Sequence, residues 1–340
     1  MNGWLGLSNE QRRATLEEAG RTSGISPKAI EKDWWVTLVL RALFEGPYGQ
    51  YMIFKGGTSL SKCWNLIKRF SEDIDIALDA QVFGVEYKAA PTKGDIERLK
   101  RKGCVFTSKE LKIALVGQLE KMGVPAGMIV ILAEEVDERM PDKDPQVLMA
   151  GYPSLYESNP YLSDEVRVEV GVRSLKEPFI QRAIQSILYT WFPNAAYAET
   201  PLEIAAVDPR KTCLEKAFLL HEEFMKPDMD KMRIGRMSRH LYDLYQLDKS
   251  GMADEALADR KLYAAIIEHR RQYSRLRHVQ YATLERSTIS FLPPARLWEV
   301  YREDYALMRQ QMIYGEAVEF EELMKGLQVL LGKFREISDY

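Results

Sequence analysis

The chain is short of the features that mark specialised protein classes. Its cysteines, Cys63, Cys104 and Cys213, number three, lie far apart and form no metal-ligand pattern. That excludes a disulfide framework and a zinc module, and it fits reduced thiols packed in a core. No window approaches the run of about 20 apolar residues that crosses a bilayer. The opening Met1-Asn2-Gly3-Trp4-Leu5 lacks the charged start and apolar stretch of a signal peptide, so a cytoplasmic protein without membrane contact is expected. Positive charge is not in excess either, with 47 Lys and Arg against 50 Asp and Glu. Any nucleic-acid contact must therefore be local, because the global basic field of non-specific binders is missing. Internal repeats and low-complexity segments are absent, and His221 and His240 lack a ligand-like spacing.

What is present is the balance of a soluble globular chain, 340 residues with 46% hydrophobic and 29% charged. This length implies two domains, or one core with a large appendage. Helices are predicted over residues 9–19 and, opened by Ser26-Pro27 as cap and first-turn proline, over residues 27–44. A short apolar run at 51–54, a glycine pair and a helical pattern over 58–68 read as strand, turn and helix. Ile74, Ile76 and Leu78 alternate with Asp73, Asp75 and Ala77, the signature of a strand with one buried face.

Residues 80–150 read as an insertion, with a helix at 108–122, an apolar run at 128–132 and a polar, proline-bearing stretch at 138–146. Val166, Val168, Val170 and Val172 alternate with Arg167, Glu169, Gly171 and Arg173, which predicts a further strand with a polar face. Beyond Pro178 the pattern is almost wholly helical, with segments at 211–224, 237–247, 254–272, 294–312 and 319–331. The expected division is a core over 1–180 that carries the N-terminal helices and the insertion, and a helical domain over 181–340.

Asp73 and Asp75 are two apart on a strand, so both carboxylates project from one face, close enough to share a divalent metal or a metal pair. Magnesium takes oxygen ligands and is usually held by one or two carboxylates plus substrate phosphates. Upstream, Lys55-Gly56-Gly57-Thr58-Ser59 opens a predicted helix. Glycines let the backbone approach phosphates, while the helix start and the hydroxyls offer donors. Each signal alone is common. The order is more specific: apolar strand, glycine turn, helix, then a strand whose end carries paired aspartates, which sets a phosphate cradle beside a metal site. Glu169 fits either a third metal ligand or a cross-strand ion-pair partner. Lys216 and Asp243 fall on two later helices, where a lysine could stabilise a leaving pyrophosphate or be merely solvated.

The run Phe54-Lys55-Gly56-Gly57-Thr58-Ser59-Leu60-Ser61-Lys62 with Arg69-Phe70-Ser71-Glu72-Asp73-Ile74-Asp75 resembles the AbiEii/AbiGii nucleotidyltransferase toxins of type IV toxin–antitoxin systems. The resemblance continues at Glu31-Lys32-Asp33-Trp34-Trp35-Val36, Glu169-Val170-Gly171-Val172-Arg173-Ser174, Glu215-Lys216-Ala217 and Ser238-Arg239-His240-Leu241-Tyr242-Asp243-Leu244. It implies an α+β fold with a polymerase β-like nucleotidyltransferase core, a small mixed sheet flanked by helices, followed by a C-terminal helical bundle. It also implies transfer of a nucleoside monophosphate from an NTP, with Mg2+ as cofactor. By the same resemblance Gly57, Thr58 and Ser59 match the phosphate-binding motif and Asp73 and Asp75 the metal pair. Lys216 and Asp243 match the later lysine and acidic motifs.

The expected mechanism is in-line attack by an acceptor hydroxyl on the α-phosphate with loss of pyrophosphate, with Lys62 and Arg69 assisting the phosphates. The implied acceptor is RNA, with the 3′ end of tRNA as the candidate position, and the implied partner is a cognate antitoxin. The alternatives are a small-molecule nucleotidyltransferase and an inactive binding module of the same fold. The stretch from His269 to His278, which contains Arg270, Arg271, Arg275 and Arg277, reads either as an RNA patch or as a solvated helix end.

Overall fold

A computed structural model describes residues 2–136, 143–157 and 162–336. The first part of the polar stretch expected at 138–146 lies outside the described residues. By contacts the chain divides into two units, Met1–Cys63 with Phe70–Val207, and Trp64–Arg69 with Asp208–Tyr340.

The first unit runs α1 (Asn2–Leu5), α2 (Asn9–Ser23), α3 (Pro27–Phe44), β1 (Met52–Lys55), α4 (Gly56–Lys62) and β2 (Ile74–Leu78). It continues with α5 (Lys93–Phe106), α6 (Lys112–Lys121), β3 (Val130–Ala133), β4 (Gln146–Gly151), β5 (Glu165–Gly171), β6 (Phe179–Ile184), α7 (Ile187–Trp191) and β7 (Leu202–Val207). A π-helical turn, Thr107–Leu111, joins α5 to α6. The strands form one mixed seven-stranded sheet in the order β3-β4-β5-β2-β1-β7-β6, so the mixed α+β expectation is met.

Local chemistry accounts for the helix starts. Ser8 and Gln11 cap α2 reciprocally, and Ser26 accepts from the Ala29 amide with Pro27 in the first turn of α3. α3 is buried along residues 28–43, charged residues included, so each buried charge on it must find a partner. In β5 the valines are buried while Glu165, Arg167 and Glu169 stay partly exposed, the alternation read from sequence.

Four expectations change. The stretch 80–150 supplies β3 and β4, and β4 pairs with β5 along its length, so it extends the sheet. Beyond Pro178 the chain is not wholly helical, because β6 and β7 pair antiparallel and carry the first unit on to Val207. Most of β6 is exposed, so it shows no alternation to read. The helix expected to reach 68 stops at Lys62, and Trp64–Arg69 belongs to the second unit.

The second unit comprises that segment and α8 (Pro209–Phe224), α9 (Ser238–Lys249), α10 (Met252–Ala258), α11 (Arg260–Tyr273), α12 (Trp298–Gln311) and α13 (Phe320–Glu336). The single helix expected over 254–272 is split, because Asp259 ends α10 and caps α11 by accepting from the Leu262 amide.

Candidate active site

In the first unit β1 and β2 are antiparallel, and Lys55 stands opposite Asp75. The end of β1 where α4 begins is therefore the end of β2 where the aspartates lie. Gly56 makes this turn with φ of +79°, and a Cβ there would fall 1.9 Å from Asp75 Oδ2. The position thus needs glycine twice, for left-handed backbone and for the carboxylate lying on it. Thr58 is buried, and its hydroxyl donates to the Asp73 carbonyl at 2.5 Å and lies 2.9 Å from Ser71 Oγ. It fixes the backbone of Asp73 instead of presenting an open donor. Ser59 is buried as well, so at this turn the backbone amides and Lys55 are the groups suited to an anion.

β2 and β5 run parallel with Asp75 beside Glu169, so the two residues share a sheet face at the strand spacing of about 4.8 Å. Arg167 donates to Glu169 at 2.9 Å, an ion pair along one strand and not across two. Burial works against the Arg167 cation, but Glu169, Glu134 and Asp73 more than offset it and raise its pKa. Among the described residues no three His, Cys, Asp or Glu side chains stand ready to hold a metal ion. The donor set offered by Asp73, Asp75 and Glu169 is all oxygen, which fits a hard cation whose shell phosphates complete.

Lys62, expected at the phosphates, is instead buried against Asp33 at 2.6 Å. Asp33 also accepts from the Ile187 amide at 2.6 Å. Next to it on α3, Lys32 donates to Glu72 at 2.5 Å and to the Ser163 carbonyl at 2.9 Å. Glu31 accepts from Ser154 Oγ and the Leu155 amide, both at 2.8 Å. One turn of α3 thus ties down α4, the residue before Asp73, and the segment leading to β5. Sequence reading assigned no role to these three residues, although three successive charges inside an otherwise apolar helix were a readable signal.

In the second unit Arg69 grips Asp243 through two bonds of 2.7 and 2.8 Å, both residues fully buried. Lys216 reaches the same carboxylate at 2.9 Å and His240 Nδ1 at 3.4 Å. Burial alone would raise the Asp243 carboxyl, but Arg69 and Lys216 outweigh it and bring it below the usual carboxylate range. Burial, then Lys216 and Arg239, keep the His240 imidazole neutral, so it accepts from the ammonium. Burial also lowers Lys216, with Asp243 opposing. An ammonium has three donors. Asp243 and His240 take two, and among the described residues none takes the third. Arg69, also expected at the phosphates, is a structural clamp on Asp243. Burial pushes the Cys63 and Cys213 thiols up to about 12, so neither supplies a thiolate.

Two guanidiniums of the basic run near residue 270 are neutralised. Arg270 is bound by Glu222, and Arg271 is bound by Glu268 at 2.6 Å.

Residues 38–326 match the family model described as the nucleotidyl transferase AbiEii toxin of type IV toxin–antitoxin systems. Among solved structures the chain is similar to MenT4, a nucleotidyltransferase toxin from Mycobacterium tuberculosis H37Rv. That match is 17% identical, covers 97% of this chain and 100% of that one, and has a TM-score of 0.42. No curated protein matches the chain.

Proposed function

The chain belongs to the AbiEii family of nucleotidyltransferase toxins of type IV toxin–antitoxin systems, and on that premise we propose that it transfers a nucleoside monophosphate from an NTP to an RNA hydroxyl. The 3′ end of tRNA is the acceptor we favour. The observation that carries this reading is the Asp75 carboxylate seated on the Gly56 backbone, with Glu169 beside it in register. A glycine turn that offers amides to phosphates thereby touches the group that would bind their metal.

Lys55, Gly56, Gly57 and the start of α4 receive the triphosphate in this reading, while Thr58 holds Asp73 in place through its carbonyl. Asp73, Asp75 and Glu169 would hold magnesium, which would supply Lewis acidity for the transfer. By the family resemblance Lys216, held within the second unit by Asp243 and His240, is the lysine assigned to the leaving pyrophosphate. Arg69 and Lys62 act on carboxylates rather than on phosphates. The cognate antitoxin is the partner the family implies, and it opposes this activity.

The test incubates the protein with each labelled NTP, magnesium and total RNA and separates the products. Label on RNA is expected. Asp73→Ala and Asp75→Ala, each confirmed as folded, should transfer at least about 100-fold more slowly, more than the loss of an outer-shell partner costs. Wild-type rates in both variants would remove the aspartates from the site. Label on small molecules alone would make this an enzyme of small-molecule acceptors, and no label at all would leave a binding module.

A further inference from the structure

Resting on the reading of RNA as the acceptor, we propose that the exposed face running from α5 through the π-helical turn into α6 holds the RNA backbone. Residues 93–112 contain seven Lys or Arg against three Asp or Glu, in a chain whose net charge is −3. Arg98, Arg101, Lys102, Val105, Lys109 and Lys112 recur at helical intervals of three and four, so they share one face. All are exposed except Lys112, which is half-buried. From first to last they extend over about 20 Å of helix. No acidic residue interrupts that face.

The opposite face fixes where the stripe lies. Ile96, Leu99, Gly103, Cys104 and Phe106 are buried, and a Cβ on Gly103 would fall 2.5 Å from Val172 Cγ1. Only close contact of α5 with the chain leaving β5 leaves so little space. Val172 lies three residues past Glu169, about 10 Å along an extended chain. The stripe is therefore anchored near one of the carboxylates assigned to the metal.

The cations of this face have few internal counter-charges. Arg98 comes only to 3.7 Å from Asp95, a carboxylate that Lys88 holds at 2.7 Å. Arg101, Lys102, Lys109 and Lys112 have no ion pair among the described residues. The run near residue 270 differs, since two of its four guanidiniums are bound to carboxylates. Like charges along one helix face repel, and a polyanion relieves that repulsion while releasing its own counterions. Protein interfaces are poor in Lys and rich in aromatic and Met anchors, whereas the large apolar side chains exposed along this stretch are aliphatic, Val105 and, next to Lys112, Ile113. That composition favours phosphates over an acidic protein.

The test uses the full chain and a fluorescently labelled transfer RNA. Its variant combines Arg98→Gln, Arg101→Gln, Lys102→Gln and Lys109→Gln, all at exposed positions, with folding checked by circular dichroism and thermal melting. At about 0.1 M salt its RNA affinity should fall at least tenfold, and the slope of log Kd against log salt should drop by about three. The stripe is overturned if affinity and slope match the wild type. It is also overturned if the loss appears in Arg275→Gln with Arg277→Gln instead, or if the stripe variant keeps RNA but loses the purified cognate antitoxin. Wild-type binding that depends on the stripe, without nucleotide transfer, upholds the surface and refutes the transferase reading. Transfer onto RNA that ignores the stripe does the reverse.

Discussion

Gly56 is the residue on which the first site turns, and it separates folding from function. Adding a methyl would force a left-handed conformation that costs an L-residue about 1–2 kcal/mol. The atoms it would meet all belong to the Asp75 side chain, Oδ2 at 1.9 Å, Cγ at 2.7 Å and Cβ at 3.0 Å, so the carboxylate must rotate aside and its stem give by a few tenths of an ångström. Gly56→Ala should therefore cost only about 1–2 kcal/mol in a urea titration. Nucleotide transfer should fall about 100-fold, the scale of an ångström-sized displacement of a reacting group. A variant that unfolds outright, or one that retains wild-type transfer, would contradict this account of the turn. Gly56, Asp73 and Asp75 were legible in the sequence because glycine beside a strand and period-two carboxylates are local signals. The partners of Lys62 and Arg69 were not, since Asp33 lies 29 residues from Lys62 and Asp243 lies 174 from Arg69. An unpaired cation in a motif reads as available to phosphate until the fold shows the carboxylate that binds it.

At the scale of elements, α3 is the brace of the first unit, and the sequence displays its run of three charges but not the distant partners that make them a brace. Most element positions were readable from capping and alternation, as α2, α3, β2 and β5 show. β6 was missed because five of its six residues are exposed, which leaves no pattern of burial. The brace makes a quantitative claim about Lys62. Asp33→Asn keeps an acceptor for the Ile187 amide but strands a buried ammonium, which should cost about 3 kcal/mol or more. Adding Lys62→Met removes the stranded charge, so the double variant should recover most of that loss, and a double-mutant cycle would show strong coupling. Its transfer activity tells the two roles of Lys62 apart. Activity near wild type at unchanged KM for NTP fits a structural lysine, whereas a KM raised tenfold or more would return Lys62 to the phosphates.

Over the whole molecule, buried titratable groups make the two units respond differently to acid. In the second unit burial depresses both His221 and His240, with Ser290 and Glu222 opposing at the first and Lys216 and Arg239 adding to it at the second. Below the ordinary histidine value of about 6.5 the unfolded chain takes up protons there that the folded chain refuses, so stability is lost as pH falls. Each imidazole contributes a slope of up to about 1.4 kcal/mol per pH unit. Asp243, brought below the usual carboxylate range by Arg69 and Lys216, adds its own loss only as pH falls through the ordinary carboxylate values. In the first unit Glu31 has the opposite sign. Burial raises its pKa, with the Leu155 amide and Ser154 opposing, so between its unfolded and folded values the native state binds the extra proton and gains stability as pH falls. Taking the protein from pH 7.5 to 5.5 should therefore weaken the helices of the second unit before the sheet of the first. Hydrogen exchange followed by mass spectrometry should show protection lost first in α8 and α9, while β2 and β5 stay protected. His240→Gln should flatten the pH dependence of that opening by about half of the two-imidazole slope. Equal loss of protection in both units, or a slope unchanged by His240→Gln, would show that the buried imidazoles do not govern acid sensitivity.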